Sequence, residues 1–149
     1  MLTRKGKYGL KALTYMASLP PGDMALLNDI AMARDIPRKF LETILGELRN
    51  AGFVVSRKGK DGGYRLARSP DQINMGLVVR AIDGPLAPIA CASSSRYQPC
   101  EDCDEPRCEV RRLMLQVRQA ICDVMDNKTL ADVRAEMQLE ELLAIPCPE

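Results

Sequence analysis

Apolar residues recur at helical spacing in the first part of the chain. In residues 5–19 they form the stripe of a helix with one buried face, at Tyr8, Ala12, Leu13, Met16 and Ala17. Pro20-Pro21-Gly22 then ends this helix. A short second helix is predicted over residues 27–33, with inward positions at Leu27, Ile30 and Ala31.

A third, longer helix follows the tight connection of residues 34–36. Pro37 can begin this helix, because its fixed φ and its missing N–H are harmless in a first turn. Gly52 suits a left-handed cap just beyond the other end. The predicted inward positions are Phe40, Leu41, Ile44, Leu45 and Leu48.

Two short strand candidates come next, at residues 53–55 and 64–66. The loop between them, residues 56–63, contains three glycines and three basic residues. A short helix, a tight turn, a longer helix and a basic hairpin, in this order, predict a winged helix-turn-helix.

The second half of the chain is helical apart from one long segment. Asn74 can cap a helix over residues 75–82. Residues 84–108 are rich in Pro, Ser and Cys, and such a long irregular stretch in a small protein is usually functional or disordered. A long helix is predicted over residues 105–125, and a last short helix begins near Thr129. The long helix needs a partner surface for its apolar face, formed by Val110, Leu113, Met114, Val117, Ile121 and Val124.

These patterns predict a mainly α fold with a small β-hairpin wing, in which a long dimerisation helix follows the winged helix-turn-helix. The predicted parts are a DNA-binding domain over residues 1–83, a cysteine-rich sensor loop over 84–108, a dimerisation and C-terminal helical region over 109–140 and a flexible tail over 141–149. No apolar run approaches the roughly 18 residues that a membrane span needs. A cytoplasmic protein with no membrane partner is therefore expected.

Charge is divided unevenly between the two halves. Residues 1–70 carry 13 Lys and Arg against 6 Asp and Glu, whereas residues 71–149 carry 8 against 14. The basic half predicts a polyanionic partner, and a winged helix makes that partner double-stranded DNA. The candidate DNA contacts are Arg38, Lys39, Glu42 and Thr43 on the third helix and Arg57, Lys58 and Lys60 in the wing.

The chain has no histidine and six cysteines. The lack of histidine removes His-based catalysis and His metal ligands, and no enzyme activity is expected. The spacing C-x8-C-x2-C-x4-C can bring four thiolates to one metal or cluster, at Cys91, Cys100, Cys103 and Cys108. An iron–sulfur cluster, a four-cysteine zinc site and a thiol–disulfide switch all suit this spacing.

Two other uses of the cysteines carry less weight. A small redox enzyme could use Cys100 and Cys103, but the chain lacks the βαβ pattern expected around such a motif. Cys122 lies off the main apolar stripe of the long helix and is expected to be structural. Cys147 is expected to be incidental.

Several segments together resemble the IscR/NsrR/CymR family of winged-helix regulators (the "Rrf-two" family). They are LTRKGKY at residues 2–8, the Leu41-Glu42 pair with LRNAGFV at 48–54, RKGKDGGYRLA at 57–67 and VVRAIDGP at 78–85. The resemblance extends over about residues 1–140. It implies a homodimer whose long helices cross, and palindromic operators read by the third helix and the wing.

The resemblance also implies a use for the cysteine loop. Related regulators often bind an iron–sulfur cluster with three loop cysteines, and take a fourth ligand from a histidine or from a carboxylate near position 8. This chain has no histidine and has Tyr8 at that position, so four-cysteine ligation of a 2Fe-2S cluster is the preferred interpretation. Zinc remains the alternative metal. CymR-type relatives instead respond through a protein partner in cysteine metabolism and need no cluster.

A mechanism follows from the order of these parts. Ligation would hold the loop in one conformation, and its loss would change how the long helix packs. The distance between two recognition helices would then change, and with it the affinity for an operator. The chain is accordingly expected to act as a repressor that responds to its metal.

Overall fold

The computed structural model of the protein describes residues 2–143. In this part of the chain, six α-helices and one antiparallel hairpin are joined by three single-turn 3-10 helices. The α-helices are α1 (Arg4–Ser18), α2 (Leu27–Arg34), α3 (Arg38–Asn50), α4 (Met75–Asp83), α5 (Glu109–Met125) and α6 (Leu130–Leu143), and the strands are β1 (Val54–Arg57) and β2 (Gly63–Leu66). The 3-10 helices are Pro70–Gln72, Ala90–Ala92 and Glu105–Arg107.

This architecture confirms the predicted class, a mainly helical fold with a two-stranded wing. Several boundaries differ from the prediction. The long helix begins at Glu109 and not at Glu105, and the strands are shifted by one or two residues. The last helix, predicted to be short, has 14 residues and includes residues 141–143 of the predicted tail. Cys108 has an extended backbone, and its Sγ accepts a hydrogen bond of 3.4 Å from the amide of Arg111, so it caps the long helix. Residues 144–149, which include Cys147 and most of the predicted tail, lie outside the described residues.

The core is built around α1, which packs against α2, α3, α4 and α6. Gly9 lets α4 come close to α1, because a Cβ at this position would lie 2.4 Å from Cδ1 of Ile82. From α3, the core receives Leu41, Ile44, Leu45 and Leu48, each 0% exposed. The exposed face of α3 is therefore fixed by the packing of its opposite face.

The sequence prediction placed Phe40 in the core, and this was wrong, since the side chain is 52% exposed. The buried stripe of α3 is already filled by the four residues that follow it, and Phe40 lies at its edge. The ring is held there by Tyr8, with the two ring centroids 6.4 Å apart in an edge-to-face arrangement.

The apolar face of α5 is not covered within the described part of the chain. None of the residues of this helix is buried there, and Val110, Leu113 and Val124 are all more than half exposed. Monomeric proteins seldom expose such a continuous apolar stripe, so we expect another protein surface to cover this face.

Asn74 joins the start of α4 to the end of α5. Its Oδ1 accepts a hydrogen bond of 3.0 Å from the amide of Leu77, and its Nδ2 donates one of 2.7 Å to the carbonyl of Asp126. We expect Asn74→Ala to lower the free energy of unfolding by about 1–2 kcal/mol, because both bonds are lost. Urea unfolding at fixed protein concentration measures this. Asn74→Ser keeps a capping oxygen and should lose less; an unchanged Ala variant would contradict the assignment.

Candidate nucleic-acid interface and cysteine loop

The side of α3 that faces away from the core carries the predicted reading residues. Arg38, Lys39, Glu42 and Thr43 are all exposed. Lys39, Thr43 and Gly46 follow one another at spacings of four and three, so they form one stripe along the helix. Sequence reasoning missed Gly46, although a glycine inside a helix is itself a signal. A Cβ at Gly46 would meet no atom within 4 Å among the described residues.

The wing is a short hairpin that is fixed against the helices. Val54 pairs with Leu66 and is buried, which sets the register and leaves the tip residues Arg57, Lys58 and Lys60 exposed. Backbone hydrogen bonds of 2.7 and 2.8 Å join Ala25 to Tyr64. In addition, Nη1 of Arg49 at the end of α3 donates a 3.3 Å bond to Oγ of Ser56. Reading helix and wing thus form one continuous surface.

The predicted cations on this surface are available to bind phosphate. Within residues 2–143, no carboxylate oxygen lies within 4.0 Å of the charged groups of Arg38, Lys39, Arg57, Lys58 or Lys60. Lys5, at the edge of the same surface, pairs with Glu47 at 3.0 Å. Unpaired cations on two adjacent elements are what a DNA backbone requires.

Three of the four predicted ligand cysteines lie together in the loop. The ligand atoms of Cys100, Asp102 and Cys103 all lie within 4.8 Å of one another. The thiol of Cys103 also neighbours that of Cys108; the hydrogen bond to Cys100, followed by desolvation and the bond to Cys108, raises the pKa of Cys103 to about 12. Thiolates crowded in this way repel one another, so a cation would stabilise the deprotonated cluster.

Cys91 is placed differently. It lies in the 3-10 turn Ala90–Ala92, is 7% exposed, and is not a member of the group formed by Cys100, Asp102 and Cys103 in the described chain. Its carbonyl accepts a 3.0 Å hydrogen bond from Nε of Arg111. Two sulfurs and one carboxylate thus lie within 4.8 Å of one another, Cys108 neighbours Cys103, and Cys91 lies in the 3-10 turn that precedes them.

Glu105 holds the irregular loop in shape. Its carboxylate accepts hydrogen bonds from the hydroxyl of Tyr97 and, at 2.8 Å, from the amide of Cys100. These two bonds lower the pKa of Glu105. Nε of Arg111 lies 3.8 Å from the same carboxylate. Glu105 thus fixes the backbone next to a candidate ligand.

The loop is tied to the long helix α5 at several points. Cys108 caps the helix, Arg111 bonds to the carbonyl of Cys91, and Nη1 of Arg118 donates a 2.6 Å hydrogen bond to the carbonyl of Ala92. A rearrangement of the sulfurs would therefore change the hydrogen bonds that hold the N-terminal half of α5.

Cys122 lies in a separate cluster between α4 and α5. Arg80 pairs with the Asp126 carboxylate through both of its terminal nitrogens, and its Nη2 lies 3.6 Å from Sγ of Cys122. The hydrogen bonds from Arg80 lower the pKa of Asp126. Cys122 thus lies where the two helices meet, and its structural role remains a prediction.

The side chains of the cysteine loop are of the types that bind a metal or an iron–sulfur cluster. Thiolate sulfur is the ligand that iron–sulfur clusters and structural zinc prefer, and a carboxylate can complete either site. Cys100, Cys103 and Cys108 supply the sulfurs, and Asp102 supplies an oxygen that sequence reasoning did not consider. A carboxylate inside a C-x2-C pair is the signal that could have indicated it.

Short helix, tight turn, exposed reading helix and basic wing define a winged helix-turn-helix regulator, here with a cysteine-rich loop ahead of its long helix. Comparison with known families agrees, since residues 2–136 match Rrf2, described as an iron-dependent transcriptional regulator. The chain belongs to the Rrf2 family of transcriptional regulators.

Individual relatives support this assignment. An rrf2-like HTH-type transcriptional regulator of Rhodobacter capsulatus is 43% identical over 139 residues, covering 91% of this chain and 93% of the relative. Among solved structures, CymR, the global cysteine regulator of B. subtilis, is 31% identical with a TM-score of 0.75 over 91% of this chain and 97% of that one. IscR of T. potens is 27% identical with a TM-score of 0.71 over 100% and 93%.

These relatives also settle the question of enzyme activity. The family and its structural neighbours are transcription regulators, which confirms that the chain is not an enzyme and removes the redox-enzyme alternative. None of the helices in the described part of the chain is long and apolar enough to cross a membrane.

Proposed function

We propose that the chain is a cytoplasmic repressor that binds palindromic DNA as a homodimer and is switched by a 2Fe-2S cluster in the cysteine loop. The observation that carries this proposal is that Cys108 contacts both the candidate metal site and the start of α5. Its sulfur neighbours that of Cys103 and also caps α5, so one residue belongs to both the candidate metal site and the helix with the uncovered apolar face.

The DNA-binding part of the proposal rests on α3 and the wing. Lys39 and Thr43 lie on the stripe that faces away from the core, with Glu42 beside them. Side chains of these types can reach base edges in a major groove, where Glu accepts from cytosine and Lys donates to guanine or phosphate. The exposed cations of the wing would reach the neighbouring backbone or minor groove.

Dimerisation is supported by the uncovered stripe of α5. Two copies of this helix can cover each other along Val110, Leu113 and Val117. A two-fold dimer places two reading helices at a fixed separation, and half-sites about one helical turn apart would match it. A palindromic operator follows from this symmetry.

The switch is supported by the contacts between loop and α5. Cys100, Cys103 and Cys108 would hold the cluster, which supplies a site that can gain or lose iron or electrons. If loss of the cluster separated the sulfurs, Cys108 would leave its cap, and Arg111 and Arg118 would lose their partners in the turn Ala90–Ala92. The N-terminal half of α5 could then shift against its copy, which would alter the spacing of the reading helices.

A second candidate function keeps the DNA-binding dimer but changes the signal. The sulfurs of Cys100 and Cys103 are close enough to share a metal, so they are also candidates for a thiol–disulfide switch or a zinc site. CymR, to which the chain is similar in structure, is described as a cysteine regulator. A cluster-free regulator of sulfur metabolism is therefore the alternative.

One preparation distinguishes these functions. The full chain is purified without oxygen, its visible spectrum is recorded, and iron, sulfide and zinc are measured per chain. DNA that it retains is then selected from a random duplex library. Brown protein with iron and sulfide near two per chain and a selected palindrome is expected; zinc alone, or thiols alone, would contradict the cluster.

Replacing Gly46 by alanine is expected to change stability and DNA affinity in opposite directions. Gly46→Ala should raise the free energy of unfolding by about 0.5–1 kcal/mol, because a helix-interior glycine is replaced where space is open. The added methyl faces the proposed DNA and should weaken binding about tenfold, as overpacking a close contact does. Thermal unfolding measures the change in stability, and fluorescence anisotropy on the same preparation measures the change in DNA affinity. A variant that is stabilised and binds DNA equally well would show that DNA does not come close to Gly46.

A further inference from the structure

A small apolar notch lies beside the reading stripe of α3. It is lined by Lys5, Lys39, Phe40, Thr43 and Ile44 and has a volume of about 280 Å³. Phe40 is about half exposed, whereas Ile44 is 0% exposed and lies beneath the notch, out of reach of solvent. The notch is therefore an open depression beside the surface that is proposed to meet DNA.

Phe40 makes one aromatic contact beside the notch. Its edge-to-face contact with Tyr8 favours one orientation of the half-exposed ring. Folding leaves about half of this side chain in water, and a ligand that covers it would gain the remaining hydrophobic free energy. The cation of Lys39 has no carboxylate within 4.0 Å among the described residues, so the ligand should bring an anion with it.

We propose that this notch receives the C5-methyl group of a thymine in each operator half-site, with Phe40 as a specificity-determining residue. The inference rests on the proposed function. The thymine methyl is the apolar group that DNA presents in the major groove, and apolar side chains including Phe and the methyl of Thr recognise it. Both residue types line the notch, while Lys39 on the same face can bind the neighbouring phosphate.

The experiment removes the methyl and nothing else. In the DNA selected by the full-length protein, each thymine is replaced in turn by uracil, symmetrically in both half-sites, and affinity is measured by anisotropy at fixed salt. We expect one symmetric position to lose about tenfold, since each buried methyl contributes a factor of roughly three to four. Phe40→Ala should bind the thymine and uracil forms of that position equally, while the ranking of all other positions stays unchanged.

Two variants keep the result interpretable. Phe40→Leu keeps an apolar wall and should retain part of the preference for thymine. Leu77→Ala removes an equally exposed apolar side chain from α4, at 56% exposure, and should retain all of it. Circular dichroism verifies that each variant folds.

The following results would each overturn the inference or the function on which it rests. Uniform affinity for all uracil substitutions, or a thymine preference that survives in Phe40→Ala, would overturn the inference but leave the regulator intact. A Phe40→Ala variant with an altered oligomeric state by sedimentation would instead assign the notch to a second copy of the chain, and would also overturn it. Failure to select any DNA would remove the proposed function itself.

Discussion

Neutralising the wing by Arg57→Ala, Lys58→Ala and Lys60→Ala together is expected to weaken operator binding by on the order of a thousandfold near 0.15 M salt. Each chain would lose three exposed cations, so a dimer would lose six phosphate contacts. The slope of log affinity against log salt should become shallower by about five, because each contact contributes about 0.9.

Controls for this variant separate charge from shape. Arg57→Lys keeps the charge and should keep the salt slope. Lys128→Ala removes a cation from the turn between α5 and α6, where it pairs with Glu136, and should leave both affinity and slope unchanged. A triple variant with the wild-type slope would show that the wing does not contact phosphate, whatever happens to affinity.

Replacing both Cys100 and Cys103 by serine is expected to abolish metal retention, with iron and sulfide falling to background and the visible absorption lost. Serine is a poor ligand for iron and zinc, and this change removes two of the three neighbouring sulfurs. The variant should bind DNA as the stripped wild type does, and should no longer respond to loading. Cys122→Ser lies in the separate cluster with Arg80 and should keep its metal.

Single variants then identify the fourth ligand. Four-cysteine ligation requires Cys91, which is buried, whereas a carboxylate oxygen of Asp102 lies within 4.8 Å of the sulfurs of Cys100 and Cys103. If Asp102 is the ligand, Asp102→Asn should lose iron and Cys91→Ser should retain it; four-cysteine ligation predicts the reverse. A Cys100→Ser, Cys103→Ser protein that still carries a full complement of iron and sulfide would contradict the site altogether.

Most of the fold could be predicted from the sequence because the signals are local. The apolar stripes of α1 and α3, the cap at Asn74 and the glycine-rich hairpin each depend on neighbours within a few residues. The exposure of Phe40 could not be predicted in this way, since it depends on Tyr8 in another helix and on a core already filled by Leu41 and its successors.

The candidate site was only partly accessible from sequence for the same reason. The spacing of the cysteines indicated a metal, but spacing does not show that Cys91 is buried in a 3-10 turn. Nor does it show that Cys108 caps α5. The loop has no repeating pattern, and its shape is set by contacts from Glu105, Arg111 and Arg118. Such contacts between polar side chains and backbone carry little sequence signature.

The most direct test of the account is the affinity of one preparation for its selected DNA before and after the metal is stripped, at one salt concentration and without oxygen. The loaded dimer is expected to bind at least tenfold more tightly, a coupling of about 1.4 kcal/mol or more. This difference should vanish in the protein with Cys100→Ser and Cys103→Ser. Equal affinities of the loaded and stripped wild-type protein would contradict the link between the cysteine loop and the reading helices.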